Sequence, residues 1–145
     1  MRKTICLLAL LCGFPALRAA DLPSAATGIA APHPLTGSWA WTLPGKQCRE
    51  TLKYRQDGSR SGSSGEEVTQ GRYEVSAMPS LVGFYKLTET ITQSNDKADC
   101  AGDVHPANGE PVIRFLQFSP KRDQFIVCKE EELKACYGPL KRTAE

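Results

Sequence analysis

The clearest regularity along the chain is an alternation of apolar and polar positions with a period of two, and it begins at Leu35. Between residues 35 and 43, leucine, glycine and tryptophan occupy the odd positions, whereas threonine, serine and alanine occupy the even ones. Successive side chains of a β-strand point to opposite faces, so this alternation predicts a strand with one buried face. Pro44-Gly45 then ends the strand, because this pair favours a turn.

Similar short segments follow along the rest of the chain. We predict strands at residues 48–55, 71–77, 81–93, 112–118, 124–128 and 137–141. Asp57-Gly58 predicts a hairpin turn, since glycine adopts positive φ angles without strain. That hairpin requires an antiparallel partner in residues 59–68, although the serines and glycines there have a low strand propensity. Residues 129–135 are predicted to form one short helical turn.

The number and spacing of these segments predict an all-β fold. No segment has the long periodicity of an amphipathic helix, and short strands separated by turns are typical of an antiparallel barrel or sandwich. We expect a small up-and-down barrel, or a flattened barrel, of about seven or eight strands. It would span residues 35–142, and residues 143–145 would form a C-terminal tail.

Residues 1–20 have the composition of a secretory signal peptide. Arg2 and Lys3 precede an apolar stretch at residues 5–11, and small residues at 16–20 provide a cleavage site. The apolar stretch is too short to span a bilayer as an anchor. We therefore expect a periplasmic or secreted mature protein without an integral membrane segment. Residues 21–34, rich in alanine and proline, are predicted to form a flexible leader in which His33 is solvated.

The formal charge of the chain changes when the signal peptide is removed. The full sequence carries 18 Lys and Arg against 16 Asp and Glu, a formal charge of +2. Removing Arg2, Lys3 and Arg18 leaves 15 basic residues and a formal charge of −1. The basic pairs at 121–122 and 141–142 are isolated, whereas binding to nucleic acid requires several clustered cations. We therefore expect no nucleic-acid partner.

Four cysteines remain after residue 20, and an even number in a small exported domain predicts two disulfides. They are Cys48, Cys100, Cys128 and Cys136, which can pair in three ways. We favour Cys128–Cys136, because these residues are close in sequence, and this choice leaves Cys48–Cys100. A structural zinc site is the alternative, but such sites usually contain paired Cys-x-x-Cys motifs, and the sequence has none.

Three short motifs resemble the lipocalin and lipocalin-like group of small β-barrels. They are the opening segment Leu35-Thr36-Gly37-Ser38-Trp39, the hairpin 54–59 with the sequence YRQDGS, and the late basic residue Arg142. The resemblance covers roughly residues 35–142 and implies a ligand-binding barrel. It also implies that Trp39 closes one end of that barrel. Arg142, or Lys141, would then pack over the Trp39 ring in a cation–π contact of about 0.5–2 kcal/mol.

No residue set in the sequence predicts catalysis or metal binding. His105 is the only histidine of the domain and is expected to be exposed, no Gly-x-Ser-x-Gly motif is present, and paired cysteines leave no thiol nucleophile. Glu66 and Glu67 are sequence neighbours, so on a strand they point to opposite faces and are expected to be solvated. The acidic loop at 94–110 does not match the ligand spacing of an EF-hand. We expect no enzyme activity, no cofactor and no metal.

An aromatic set supplies the candidate ligand site. In a small barrel such side chains usually fill the core, but part of the set can line a pocket for an apolar or amphipathic ligand. Glu50 has the same parity as Leu52 and Tyr54, so its carboxylate is predicted to point inward or towards the mouth of the barrel. The candidate pocket residues are Trp41, Glu50, Tyr54, Tyr73, Tyr85 and Phe115.

Two functions agree with these features. The first is an exported, non-enzymatic lipocalin-like binding protein for a small hydrophobic or amphipathic ligand. The alternative is a protein-interaction module, such as an inhibitor or immunity protein of an exported enzyme, with the loop at 94–110 as its contact surface. An extractable ligand would support the first function, and a specific protein partner would support the second.

Overall fold

A computed structural model describes residues 31–144, which form a closed β-barrel. Each strand pairs antiparallel with its neighbours in sequence, and the last strand pairs with the first. The strands are β1 (Gly37–Thr42), β2 (Arg49–Tyr54), β3 (Ser59–Ser64), β4 (Glu67–Val75), β5 (Tyr85–Ser94), β6 (Pro111–Phe118), β7 (Gln124–Cys128) and β8 (Cys136–Arg142). The predicted all-β barrel of seven or eight antiparallel strands is thereby confirmed. The predicted signal peptide and residues 21–30 of the predicted leader lie outside the described residues.

The antiparallel partner that the hairpin requires in residues 59–68 is confirmed, whereas two other segments differ from the predictions. Residues 59–68 contribute to two well-paired strands, β3 and β4, because their inward side chains find polar partners inside the barrel. Residues 81–84 are not part of a strand but form a turn before β5, in which Leu81 is fully exposed. Residues 129–135 form turns and bends instead of the predicted helical turn. Within residues 31–144, no helix is long and apolar enough to cross a membrane.

His33 is also placed differently from the prediction. Its Nδ1 accepts a hydrogen bond from the Leu35 amide at 3.1 Å, and its ring packs edge-on against Tyr85, with ring centroids 5.0 Å apart. Burial lowers the pKa of the imidazole, and the nearby Arg122 guanidinium acts in the same direction. The residues just before β1 therefore pack against the barrel and are not simply solvated.

The apolar core fills one half of the barrel, which we call the closed end; the β2–β3, β4–β5 and β6–β7 connections lie there. Its buried members are Leu35, Trp39, Tyr54, Leu87, Leu116, Phe125, Val127 and Leu140. Trp39 Nε1 donates a hydrogen bond to the Leu35 carbonyl at 2.8 Å, and its ring lies edge-on to Phe125 with centroids 4.6 Å apart. A buried indole N–H requires such an acceptor, so both packing and hydrogen bonding fix the ring.

Arg142 covers this core where β8 pairs with β1. Its Cζ lies 4.1 Å from the centroid of the Trp39 ring, and its Nη1 and Nη2 donate to the carbonyls of Thr36 and Pro34 at 2.9 and 2.7 Å. The guanidinium thus combines a cation–π contact with two hydrogen bonds to the chain that enters β1. Gly37, with a φ of 127°, leaves room for it, since a Cβ there would lie 2.5 Å from Nη1.

Gly71 allows β4 and β5 to approach each other closely. The register of this pair shifts between Gln70 and Gly71, as at a β-bulge. A Cβ atom at Gly71 would overlap the carbonyl oxygen of Thr90. Because the obstructing atom belongs to the backbone of a paired strand, it cannot move away without disturbing the hydrogen-bond ladder.

Both disulfides lie at the opposite end of the barrel, which we call the open end. Cys48–Cys100 joins the β1–β2 loop to the β5–β6 loop, and Cys128–Cys136 closes the β7–β8 loop. These pairings are the two favoured from the sequence. In the chain-entropy description, the long loop contributes about 4 kcal/mol to stability and the short loop about 2.5 kcal/mol. Covalent links therefore hold the open end, whereas side-chain packing holds the closed end.

We expect Arg142→Met to lower the free energy of unfolding by about 1–2 kcal/mol, because it removes the cation–π contact and both hydrogen bonds. Lys141→Met is the matched control, since Lys141 is an exposed neighbour on the same strand. Denaturant unfolding followed by tryptophan fluorescence measures both variants. Equal losses in the two variants would contradict a specific role for Arg142.

We expect Gly71→Ala to lower the free energy of unfolding by about 1–3 kcal/mol, because the added methyl group collides with backbone. Gly45→Ala separates this effect from backbone strain, since Gly45 has a φ of 76° but open space around its Cβ position. Thermal and denaturant unfolding compare the two. If Gly71→Ala left the free energy of unfolding unchanged, the Thr90 carbonyl could not lie as close to Gly71 as the structure places it.

Candidate functional site

The interior of the barrel changes from sealed to solvent-accessible along its axis. At the closed end, the inward side chains of Leu116 and Phe125 are at most 1 % exposed. Towards the open end, Val112, which shares the face of Leu116, is 39 % exposed, and Tyr137 on β8 is 41 % exposed. Solvent therefore reaches the open half of the interior, which we call the lumen, at these two positions, whereas Ser64, Glu67 and Thr69 are buried there.

The register of the strands identifies the side chains that line the lumen. Residues opposite each other in the register lie on the same face, so the face of Trp39 continues through Leu52, Gly62 and Thr69. By this rule, the lumen-facing residues of the open half are Trp41, Glu50, Leu52, Arg60, Ser64, Glu67, Thr69, Glu89, Ile91, Ser94, Val112, Arg114 and Tyr137. Most of them are polar or charged, in contrast to the core at the closed end.

A network of polar side chains forms the floor of the lumen, where it meets the apolar core. The Tyr54 hydroxyl donates to Glu89 Oε1 at 3.0 Å, and Arg60 Nε lies 3.1 Å from the same oxygen. Arg60 Nη1 donates to Thr69 Oγ1 at 3.2 Å. Burial and the neighbouring carboxylate raise the pKa of Tyr54 well above its ordinary value, so the phenol keeps its proton. The buried charges of Arg60 and Glu89 compensate each other.

Glu50 lies in the wall of the lumen and is connected to the loop at the open end. Ser64 Oγ donates to Glu50 Oε1 at 2.8 Å and accepts a hydrogen bond from the Cys100 amide at 3.0 Å. Because Cys100 is bonded to Cys48, this hydroxyl links the disulfide to the carboxylate. Burial raises the pKa of Glu50, the hydrogen bond from Ser64 opposes this shift, and nearby carboxylates add to it.

The β5–β6 loop, residues 95–110, is also attached to the barrel by a hydrogen bond between His105 and Glu67. His105 Nδ1 lies 2.9 Å from Glu67 Oε1, and only 10 % of the Glu67 side chain is exposed. The prediction that Glu67 is solvated is therefore wrong, because alternation along β4 turns it inward. His105, expected to be an exposed loop residue, is exposed, and its Nδ1 bonds to Glu67. Gly65 packs against this loop as well, since a Cβ there would lie 3.3 Å from the Cys100 amide nitrogen.

The seam between β1 and β8 is paired over only part of its length. Two register pairs join these strands, and both lie towards the closed end. Pro139 interrupts the ladder beyond them, because proline has no amide hydrogen to donate. Across the unpaired part, the rings of Trp41 and Tyr137 pack with centroids 5.4 Å apart. A groove of about 520 Å³ opens outside this part of the seam, so Trp41 borders both groove and lumen.

Tyr137 projects towards charged groups from several walls of the lumen. Although the residue is partly exposed, desolvation of its hydroxyl end raises the pKa of the phenol, and the carboxylates of Glu89 and Glu50 add to this effect. The guanidinium groups of Arg114 and Arg60 act in the opposite direction. These four residues lie on different strands around the barrel. The Tyr137 hydroxyl therefore experiences the electrostatic effect of both carboxylates and guanidinium groups, and it stays protonated.

Three of the six predicted pocket residues belong to the lumen or its floor. Trp41 and Glu50 are register partners on β1 and β2, and both face the lumen. Tyr54 is buried in the floor, where its hydroxyl bonds to Glu89 and its ring packs in the core. The structure therefore brings these three together on one continuous face.

The other three predicted pocket residues lie elsewhere. Tyr73 donates to the Arg55 carbonyl at 2.8 Å at the closed end, and Tyr85 packs there against Phe118. The prediction that Phe115 lines the pocket is wrong, since Phe115 alternates with Leu116 on β6 and thus lies on the outer face. Both faces of that strand carry apolar residues, so alternation alone could not orient Phe115.

The lumen also contains residues that the sequence analysis did not select, namely Arg60, Glu67, Glu89, Arg114 and Tyr137. For two of them the sequence holds a signal, because Glu89 shares the parity of Leu87, and Arg114 shares that of Leu116. Charged residues at the parity of buried leucines indicate a polar interior. β3 and the start of β4 lack such reference leucines, so nothing in the alternation assigns a face to those strands.

No protein-family model, curated protein or solved structure matches this chain. Within residues 31–144, no group of three or more His, Cys, Asp or Glu side chains is arranged to hold a metal ion. The lumen offers a ligand the aromatic pair of Trp41 and Tyr137, the carboxylate of Glu50, the guanidinium of Arg114 and an opening to solvent. Such a combination suits a small molecule with both apolar and polar parts.

The raised pKa of Glu50 makes stability depend on pH. Ionisation of this carboxyl is less favourable in the folded than in the unfolded chain, so it destabilises the fold as the pH rises above about 4.5. We expect Glu50→Gln to gain stability relative to the wild type over this range, in denaturant titrations at several pH values. Glu66→Gln, which removes an exposed carboxylate at the same end, controls for net charge. If Glu66→Gln gained stability with rising pH to the same extent, the burial of Glu50 could not be the cause of the gain.

Proposed function

We propose that the protein is an exported, lipocalin-like binding protein that holds a small amphipathic ligand in the lumen. One observation carries this proposal: inward-facing Leu116 and Phe125 are sealed at the closed end, whereas Val112 and Tyr137 at the open end are 39 % and 41 % exposed above buried polar side chains such as Glu67. The same interior surface carries both aromatic and charged groups. A packed floor beneath an accessible, chemically mixed chamber is the usual form of a small-molecule site.

The lining narrows the ligand class that we expected from the sequence. The rings of Trp41 and Tyr137 and the side chain of Leu52 offer apolar contact, whereas Glu50 and Arg114 offer opposite charges on other walls. A wholly apolar ligand would remove water from these charged groups without replacing its hydrogen bonds, which is unfavourable. We therefore favour a ligand with an apolar part and a polar head group over a purely hydrophobic one.

Two further features support the proposed family and compartment. The Gly-x-Trp segment opens an eight-stranded up-and-down barrel, and Arg142 covers the Trp39 ring, as the resemblance to lipocalin-like proteins implies. Two disulfides in a small domain favour an oxidising compartment, in agreement with the signal peptide predicted from the sequence. Binding is favoured over catalysis because the ionisable groups of the lumen are mostly engaged in pairs, Arg60 with Glu89 and His105 with Glu67.

A protein-interaction module remains the second candidate, and the β5–β6 loop favours it. The Asp99 carboxylate accepts the amides of Ala101, Gly102 and Asp103 at 2.8 Å each. The exposed part of the loop is thus held in one conformation, as a binding loop should be. In this candidate function, the loop and not the lumen would make the contact.

We expect the purified protein to carry a bound molecule that adds mass under native conditions and is lost on denaturation. Trp41→Ala and Tyr137→Ala should lose this added mass, since they remove the apolar side of the lumen. Phe115→Ala, on the outer face, should retain it. Native and denaturing mass spectrometry compare the variants, and 1-anilinonaphthalene-8-sulfonate serves as an amphipathic fluorescent probe. A wild type with neither bound mass nor probe fluorescence would contradict the proposal and favour the interaction module.

A further inference from the structure

The closed end of the barrel carries exposed apolar side chains at its tip. They lie in the β4–β5 loop, residues 76–84, where Leu81 is fully exposed, Met78 is 75 % exposed and Val82 is 60 % exposed. Exposed leucine, methionine and valine are common singly, but three within five residues at one loop tip form a local apolar surface. We call these three residues the apolar tip.

Hydrogen bonds hold this loop in a defined conformation. The Ser80 amide donates to the Phe84 carbonyl at 2.8 Å, the Gly83 amide donates to the Ser80 carbonyl at 2.9 Å, and Phe84 is buried as an anchor. At the base of the loop, the Ser76 amide bonds to the Lys86 carbonyl at 2.9 Å. The loop therefore presents the apolar tip outward, with its own polar groups satisfied.

Two basic residues lie in a neighbouring connection at the same end of the barrel. The loop contacts β6, since a Cβ at Gly83 would lie 3.5 Å from Gln117 Nε2, and the turn that follows β6 carries Lys121 and Arg122. Of that turn's charges only Asp123 is negative, and it accepts a hydrogen bond from the Ser119 hydroxyl at 2.7 Å.

The described loops at this end have an excess of positive charge. Their charged residues are the cations Arg55, Lys121 and Arg122 and the carboxylates Asp57 and Asp123. Both carboxylates accept hydrogen bonds from serine hydroxyls, which lowers the pKa of each. Both therefore stay charged at neutral pH, and one cation remains in excess.

We propose that the closed end docks on an anionic lipid bilayer, with the apolar tip inserted among the head groups and Lys121 and Arg122 against the phosphates. Apolar insertion and attraction of basic residues to anionic lipid act together in this arrangement. A lipid surface fits better than a protein partner, because the tip is small and protruding, whereas a stable protein interface buries roughly 1,200–2,000 Å². The open end would then face away from the bilayer, which leaves the lumen accessible.

Co-sedimentation with vesicles tests this proposal on the processed, oxidised protein. We expect binding to vesicles of equimolar phosphatidylglycerol and phosphatidylcholine, and little binding to phosphatidylcholine alone. Raising the salt concentration to about 0.5 M should weaken binding about tenfold, because it screens the attraction to the head groups. Equal binding to both vesicle types, or no binding to either, would overturn the proposal.

Matched variants assign the binding to the tip. Met78→Ser with Leu81→Ser should lose most of the vesicle-bound fraction, and Lys121→Gln with Arg122→Gln should lose the preference for anionic lipid. Val104→Ser and Leu133→Ser, which are similarly exposed at the open end, should bind like the wild type. If the open-end variants lose binding equally, the tip is not the docking site.

Sedimentation velocity distinguishes docking on lipid from self-association. If the wild type dimerises without lipid and Leu81→Ser abolishes the dimer, the tip belongs to an interface between copies and the lipid proposal fails. Unfolding curves of all variants should coincide with that of the wild type, since the altered side chains are exposed. Because the ligand proposal concerns the lumen, its failure would leave the vesicle result unaffected.

Discussion

Trp39 lies where the first and last strands meet, and the closed end of the barrel packs around its indole. The ring contacts Phe125 edge-on, its N–H bonds to the Leu35 carbonyl, and the Arg142 guanidinium covers its outer face. β8 pairs with β1 at only two positions, of which one joins Trp39 to Arg142. Closure of the barrel therefore depends on this stack of side chains as much as on backbone hydrogen bonds.

The two ends of the barrel are stabilised in different ways. The closed end contains the buried apolar side chains, whereas the open end contains both disulfides. A small domain with few apolar residues at one end would otherwise be only marginally stable there. Because the cross-links restrain the unfolded chain, the open half can expose Val112 and Tyr137 to solvent and keep charged residues along its walls.

The barrel can hold polar side chains in its interior because most of them are paired with one another. Glu89 is close to both Arg60 and Tyr54, Glu50 bonds to Ser64, and Glu67 pairs with His105. A buried charge without a partner is costly, while a paired one is tolerated and fixes geometry. The groups left with capacity for a ligand are those nearest the opening. The apolar tip at the other end faces away from them, so the two proposed functions use opposite ends of one barrel.

The alternation of residues by itself determined the all-β class, the inward direction of Trp39, Trp41 and Glu50, and a number of strands close to eight, because a half-buried strand needs an apolar face. The even number of cysteines indicated the two disulfides. The tertiary structure alone decided the paths of β3 and β4, whose inward residues Arg60, Ser64 and Glu67 are polar. Their burial depends on partners such as Glu89 and His105, which lie far away in sequence, and local periodicity cannot anticipate such partners. It also could not orient Phe115, because a strand apolar on both faces has no preferred side until its neighbours are in place.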